Sequence, residues 1–131
     1  MRTLVWHYAG VVQAGAHDLR QRRGGARGYI LDRDYQPVEV RLYLDNVSSV
    51  GEVVIDINDD DASIFKDVRS SIESYTANPQ VDRGVRTKIQ RHFYDLGKPK
   101  LAKGSVLTLD VDQTAPGARS LTVELDLEDY K

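Results

Sequence analysis

Cysteine is absent from this 131-residue chain, and large aromatic side chains are few, with one tryptophan, two phenylalanines and seven tyrosines. Without cysteine there is no disulfide framework, no thiolate nucleophile and no cysteine-ligated zinc or iron–sulfur centre. Apolar runs never exceed a few residues, so we expect neither a transmembrane helix nor the apolar core of a secretory signal. The G-x-S-x-G, P-loop and G-x-G-x-x-G motifs are also missing. Nothing in these patterns predicts an enzyme.

An excess of charge of one sign is lacking as well. Eighteen Lys and Arg against twenty Asp and Glu give a formal net charge of −2. A balance this close to zero provides no bulk attraction to nucleic acid or to anionic lipid. The length is that of one domain, and neither a repeat nor a linker divides it. We therefore expect residues 1–131 to form one domain without nucleic-acid or membrane partners.

Alternation of apolar and polar residues is the clearest pattern in the chain. Within residues 38–45 every second residue is aliphatic, and the residues between are charged or tyrosine. Successive side chains of a strand point to opposite faces, so a period of two predicts a half-buried strand. The same pattern recurs at residues 52–58, 105–112 and 121–128.

Weaker patterns predict further strands at residues 3–9, 27–31, 62–66 and 87–94. In the last of these, Ile89, Arg91 and Phe93 are expected on one face, because the aliphatic stem of an arginine is tolerated at a sheet edge. About eight strands separated by turn signals predict an all-β fold, namely an antiparallel β-sandwich.

Two stretches without alternation predict long connections. Residues 11–27 contain many small residues and read as a loop or an extended arm. Residues 75–85 carry the turn signals Asn78-Pro79 and Arg83-Gly84 and read as a loop. Residues 62–75 hold some helically spaced apolar residues, but a short strand followed by a loop is the preferred interpretation.

A cluster of acidic residues suggests two alternatives. Asp56, Asn58 and Asp60 alternate as the first oxygen ligands of an EF-hand loop do, so they are the candidate calcium ligands. The sixth position of such a loop is glycine, whereas this chain has Asp61, and the flanking segments read as strands. A polar hairpin turn explains the same residues, because Asn and Asp tolerate left-handed backbone conformations. We prefer the turn, and we expect no cofactor other than this candidate calcium ion.

A basic segment lies within the expected arm, at Arg20, Arg22, Arg23 and Arg27. Arginine side chains match planar anions and acidic protein surfaces. No aromatic residues are interleaved with them, as binding to single-stranded nucleic acid requires. Contact with a neighbouring protein is therefore preferred, and a solvated loop is the alternative. His7, His17 and His92 stand far apart and form no recognisable metal motif.

Several segments together resemble a known family. The segments are residues 37–44, 51–58, 62–65, 103–113 and 121–125. Their order and spacing are similar to those of a jelly-roll-like β-sandwich module of tailed-bacteriophage virion proteins. The resemblance covers roughly residues 27–127. The chain departs from the family pattern in two places: Asp60-Asp61 replaces a glycine-containing turn, and residues 68–85 replace a shorter segment.

The resemblance implies a virion location and a structural role without catalysis. We expect a capsid decoration (cement) protein that binds the major capsid protein on the head surface and stabilises it, as a homo-oligomer such as a trimer. The alternative is a tail or fibre adsorption protein that binds a host-surface receptor or glycan. Besides the arginines of the arm, the candidate contact residues are Trp6, Tyr8, Tyr29 and Tyr35. The alternative for these aromatic residues is ordinary packing in the core.

Overall fold

The computed structural model describes residues 2–11, 28–46, 53–60, 62–65, 80–81, 87–91, 93, 100–113 and 117–131. All regular elements in these ranges are strands. They are β1 (Arg2–Val11), β2 (Tyr29–Ile30), β3 (Tyr35–Asn46), β4 (Val53–Asp59), β5 (Ala62–Ser63), β6 (Gln80–Val81), β7 (Thr87–Gln90), β8 (Val106–Gln113) and β9 (Arg119–Asp129). A search of the same ranges found no helix with the length and apolar character needed to cross a membrane.

The strands form two antiparallel sheets. The four-stranded sheet has the order β1-β9-β3-β7, and the five-stranded sheet has the order β2-β8-β4-β5, with β6 also paired to β4. Because β8 occupies one side of β4, the short strands β5 and β6 share its other side. The long strands β1, β3 and β9 pair over most of their length, so the four-stranded sheet is the larger continuous surface.

The apolar sides of both sheets belong to one hydrophobic core. The alternation in the sequence produces this directly, since Leu121, Val123, Leu125 and Leu127 of β9 are all fully buried while the residues between them are not. The inward-facing aliphatic residues of β3, β4 and β8 join the same cluster. Burying about two dozen apolar side chains is the main stabilising contribution to such a fold.

Two aromatic pairs connect the sheets, one on each lateral side. Tyr29 of β2 meets Trp6 of β1 in an edge-to-face contact, with ring centroids 5.2 Å apart. On the opposite side, Phe65 follows β5 and stacks against Phe93, which follows β7, at 5.7 Å. Since β1 and β7 are the outer strands of one sheet and β2 and β5 those of the other, each pair closes one side of the core.

The predicted all-β fold is confirmed, and each region predicted to be a strand contains one. β3 begins earlier than predicted, at Tyr35, and its register with β9 shifts between Pro37 and Glu39. Proline has no N–H to donate, so it interrupts the ladder there. The predicted loop at residues 75–85 is wrong at β6, because two residues are too few to produce a recognisable alternation.

The prediction that Ile89, Arg91 and Phe93 share one face is wrong for Phe93. Ile89 is 51% exposed and faces away from the core, opposite Arg41, whereas Phe93 is buried. β7 ends at Gln90, so a period of two does not extend to residue 93. The prediction that this segment lies at a sheet edge is confirmed.

Gly28, which precedes β2, is required for its backbone conformation and for close packing. Its φ is +78°, and a Cβ atom there would collide with the carbonyl oxygen of Leu107 and lie 3.1 Å from Cγ2 of Thr108. We expect Gly28→Ala to lower the free energy of unfolding by about 2 kcal/mol, measured by urea denaturation. Gly104→Ala is the matched control, because Gly104 has a φ of +88° but open space around it. Equal losses for the two variants would show that the collision with β8 contributes nothing.

Candidate functional site

The side of the four-stranded sheet that faces away from the core, hereafter the outer face, is the candidate site. Because alternate residues of each strand are buried, the intervening residues form this surface. In β1, β9, β3 and β7 these include Thr3, Val5, His7, Thr122, Glu124, Asp126, Glu39, Arg41, Tyr43 and Ile89. The register aligns them in rows across the sheet, one of which runs Val5, Glu124, Arg41 and Ile89.

Arg41 is the centre of a charge network on the outer face. Its Nη1 lies 2.7 Å from Oε2 of Glu39 and 2.6 Å from Oδ2 of Asp126, and its Nε donates to Oε1 of Glu124 at 3.1 Å. Nη2 donates to Oδ1 of Asp126 at 3.0 Å, so that pair is bidentate. The four side chains are only 14–28% exposed. A planar guanidinium with several donors holds three carboxylates in fixed positions here.

This geometry shifts the ionisation of the network. The hydrogen bond from Arg41, with a smaller one from Thr3, holds the pKa of Asp126 below its usual value. Hydrogen bonds to Asp126 and Glu39 raise the pKa of Arg41. Both residues are therefore charged at neutral pH. The network combines three carboxylates with one guanidinium, so its acidic groups outnumber its basic groups by two before Arg91 is counted.

Further polar contacts extend the network towards its margins. Arg91, which is 69% exposed, places Nη2 at 2.7 Å from Oε1 of Glu39. The Thr3 hydroxyl donates to Oδ1 of Asp126 at 2.7 Å, and Nδ1 of His7 lies 2.9 Å from Oγ1 of Thr122. These contacts join neighbouring strands across the sheet, so the polar part of the outer face is ordered by its own hydrogen bonds.

Exposed apolar side chains lie beside this network. Val5 is 43% exposed, Tyr43 is 37% exposed and Ile89 is 51% exposed. Val5 lies on one edge strand and Ile89 on the other, with Glu124 and Arg41 between them in the same row. These side chains provide apolar area that a partner macromolecule would remove from water on contact.

The acidic cluster forms the predicted turn. β4 and β5 pair antiparallel through Asn58 with Ser63, and the turn residue Asp60 has a φ of +48°. Asp60 accepts a hydrogen bond from the Val106 N–H through Oδ1 at 3.0 Å, which fixes the turn against β8. Burial raises the pKa of Asp59, a trend that a hydrogen bond with Ser105 opposes.

The three candidate calcium ligands contact protein groups instead of converging. Asp56 is buried and accepts a hydrogen bond from the Ser63 hydroxyl at 2.5 Å. Asn58 donates to Oδ2 of Asp110 at 2.7 Å, while Asp60 bonds the backbone as described above. In the part of the chain that the structure describes, no group of three or more histidine, aspartate or glutamate residues is placed to hold a metal ion.

The candidate contact aromatics are placed mainly in the core. Trp6, Tyr8 and Tyr35 are only 4–7% exposed, so they offer almost no surface, and the core-packing alternative accounts for them. The Tyr35 hydroxyl donates to Oδ1 of Asp32 at 2.6 Å, which lowers the pKa of Asp32. Tyr29 is half-buried and packs against the core.

The candidate contact arginines Arg20, Arg22, Arg23 and Arg27 lie outside the described residues, as does the predicted arm apart from Val11, which ends β1. The ion-pair network around Arg41 was not predicted from the sequence. The signal was present, since Arg41 alternates with aliphatic residues in one strand and Glu124 and Asp126 do so in another. The pairing of the two strands, which brings these charges together, could not be read from the alternation.

Comparison with known proteins identifies no relative: no protein-family model, no curated protein and no solved structure matches the chain.

Proposed function

We propose that the protein is a structural component of a tailed-bacteriophage virion, a decoration (cement) protein that binds the capsid head surface and stabilises it without catalysing a reaction. The observation that carries this proposal is the outer face, on which exposed Val5, Tyr43 and Ile89 surround charges held in place by Arg41. The family resemblance of residues 27–127 supports the virion location.

The outer face has the physical properties that a lattice-binding surface needs. Its charges are already ordered by contacts within the chain, so docking costs little side-chain entropy. Its exposed apolar residues provide area that is removed from water on contact, while the charged groups between them set the register of the partner.

We further propose that the two sheets form a jelly-roll-like sandwich. Such a sandwich would place them face to face, in line with their shared core and with the aromatic pairs that close its sides. In this arrangement the outer face points away from the five-stranded sheet. The long strands β1, β3 and β9 then form a continuous platform for contact with the partner.

The proposed partners are the major capsid protein and further copies of this chain, arranged as a closed ring such as a trimer. Arg20, Arg22, Arg23 and Arg27 are proposed to contact acidic groups of the capsid or of a sister subunit. The role of the outer face does not depend on these arginines, so the two contact regions are testable separately.

Binding to bare capsids of the phage that encodes the chain tests the proposal. We expect Ile89→Asp to weaken co-sedimentation with capsids at least tenfold, because a charged carboxylate at that position opposes burial of the apolar row. The matched control is Ile30→Asp, since Ile30 is 62% exposed but lies on the five-stranded sheet. The control should bind as the wild type does. Equal weakening in the two variants would refute a specific role for the outer face.

The exposed ring of Tyr43 favours the adsorption protein as a second candidate, because an aromatic ring on a flat surface also stacks against sugars. Purified tails of the same phage therefore belong in the sedimentation assay beside the capsids. Binding to capsids alone supports the decoration role. Binding to tails alone, or to neither particle, contradicts it.

A further inference from the structure

β1 is an edge strand of the four-stranded sheet, with backbone groups on the side away from β9. It pairs with β9 on one side, and no strand in the described ranges pairs with its other side. The Tyr29 hydroxyl donates to the Val5 carbonyl oxygen at 2.5 Å and accepts from the Val5 N–H at 3.3 Å. The backbone groups of Val5 therefore face the unpaired edge. In an antiparallel strand those of Thr3 and His7, two residues away on either side, face the same edge.

This edge lacks the residues that ordinarily protect a sheet from strand pairing. Residues 3–9 contain neither lysine nor proline, carry no Asp or Glu, and include the β-branched Thr3 and Val5. Natural sheets place charges, prolines or bulges on such edges to prevent association. The register irregularity of β1 lies beyond Tyr8, so the preceding residues remain regular.

Tyr29 occupies the centre of this edge from the opposite sheet. Its ring stands edge-on to Trp6, with an interplanar angle of 87°, and this contact positions the hydroxyl at Val5. One hydroxyl thus occupies both the donor and the acceptor that an incoming strand would need at the middle of β1. Tyr29 belongs to a two-residue strand, so the hydroxyl is held by a small element.

We propose that the Tyr29 hydroxyl prevents strand pairing at the β1 edge, a contact called the lock below. The strand that it excludes is β1 of a second copy. Antiparallel pairing about a two-fold axis at Val5 places Val5 opposite Val5 and Thr3 opposite His7. No like charges meet in this register, and β-branched residues pair well across strands. The edge is therefore complementary to itself, as an isologous contact requires. This inference does not rest on the virion role.

The test removes the hydroxyl and keeps the ring. We expect Tyr29→Phe to raise the self-association constant about tenfold, measured by sedimentation equilibrium, because one competing hydrogen-bonded group is lost. Tyr35→Phe is the matched control, because it also removes a hydrogen-bonded hydroxyl, one that donates to Asp32 and not to the β1 backbone, and it should associate as the wild type does. A folded Tyr29→Phe variant with unchanged association would overturn the proposal.

Disulfide trapping identifies the partner strand, and the cysteine-free chain gives a clean background. In the Tyr29→Phe background, Val5→Cys should form a disulfide-linked dimer, since directly opposed Cα atoms about 5.5 Å apart are within disulfide range. Thr3→Cys should not, because the two Thr3 positions are offset by about 13 Å along the strands. Equal trapping at both positions, or trapping at neither, would overturn the proposed register.

Amide hydrogen exchange on the wild-type protein tests the lock without a variant. The Val5 amide should exchange at least tenfold more slowly than the Thr3 and His7 amides, because of these three edge groups only Val5 contacts the Tyr29 hydroxyl. Equal exchange at the three positions would show that the hydroxyl does not hold the edge, and would overturn the proposal.

Discussion

Phe65→Ala should produce the largest loss of stability, lowering the free energy of unfolding by about 4 kcal/mol. Phe65 is fully buried, and its ring stacks on Phe93 with an interplanar angle of 25°. Truncation removes that contact and leaves a cavity between the segment after β5 and the segment after β7. Urea denaturation followed by circular dichroism measures the loss.

A double-mutant cycle separates the ring contact from the general cost of truncation. Phe65→Ala, Phe93→Ala and the double variant should give a coupling energy of about 1 kcal/mol, as stacked aromatic pairs do. Ile89→Ala is the surface control and should change stability by less than about 0.5 kcal/mol. A coupling energy near zero would show that the two rings do not join the sheets.

Arg41→Met should cost about 3 kcal/mol at pH 7, the second-largest effect. The substitution leaves the largely buried carboxylates of Glu39, Glu124 and Asp126 close together without their central cation. Arg41→Lys should lose less, because an ammonium group keeps the charge but not the planar fork that contacts three carboxylates. Arg33→Met is the control: Arg33 lies 3.6 Å from its carboxylate partners and is 59% exposed, so little change is expected.

The same variant should change the dependence of stability on pH. Asp126 has a lowered pKa in the folded protein, so its stabilising contribution is present above the unfolded value of 3.8 and is lost as the pH falls through the lowered value. In Arg41→Met, crowded carboxylates bind protons more readily when folded, so stability should increase on acidification from pH 7 towards pH 4. The difference between wild type and variant should therefore shrink with falling pH. A difference that stays constant would contradict the electrostatic explanation.

Asp59 does not disturb this comparison. Burial raises its pKa in the folded protein, so its titration favours folding as the pH falls. That contribution is common to wild type and Arg41→Met, since Asp59 lies on the five-stranded sheet. Subtracting the two pH profiles removes it and leaves the contribution of the network.

The lock at Tyr29 and the network at Arg41 have opposite consequences for association. The network leaves apolar residues exposed on a rigid face, which favours contact with a partner. The lock occupies the backbone groups of an edge that, as proposed above, would otherwise pair with β1 of a second copy. Under the two proposals, association is directed towards the outer face and away from the β1 edge, which limits non-specific aggregation.

The sequence by itself determined that the chain forms strands and which side of most of them is buried. Alternation at residues 38–45 and 121–128 identified Leu42 and Leu125 as core residues, and both are fully buried. Acidic turn residues also predicted the hairpin at Asp60, because its side chain tolerates a left-handed backbone. These features depend on a residue and its near neighbours, so local patterns are sufficient.

Only the tertiary structure decided which strands are partners. β8 and β9 follow one another with nearly identical alternation, yet β8 pairs with β4 in one sheet and β9 with β1 and β3 in the other. A period of two specifies a buried face but not the neighbour along the hydrogen-bonding direction, which the whole core selects by its packing. The Arg41 network, the Phe65–Phe93 stack and the Tyr29 contact with Val5 all follow from that selection. Each joins residues far apart in the chain, and this is why no local pattern in the sequence predicted them.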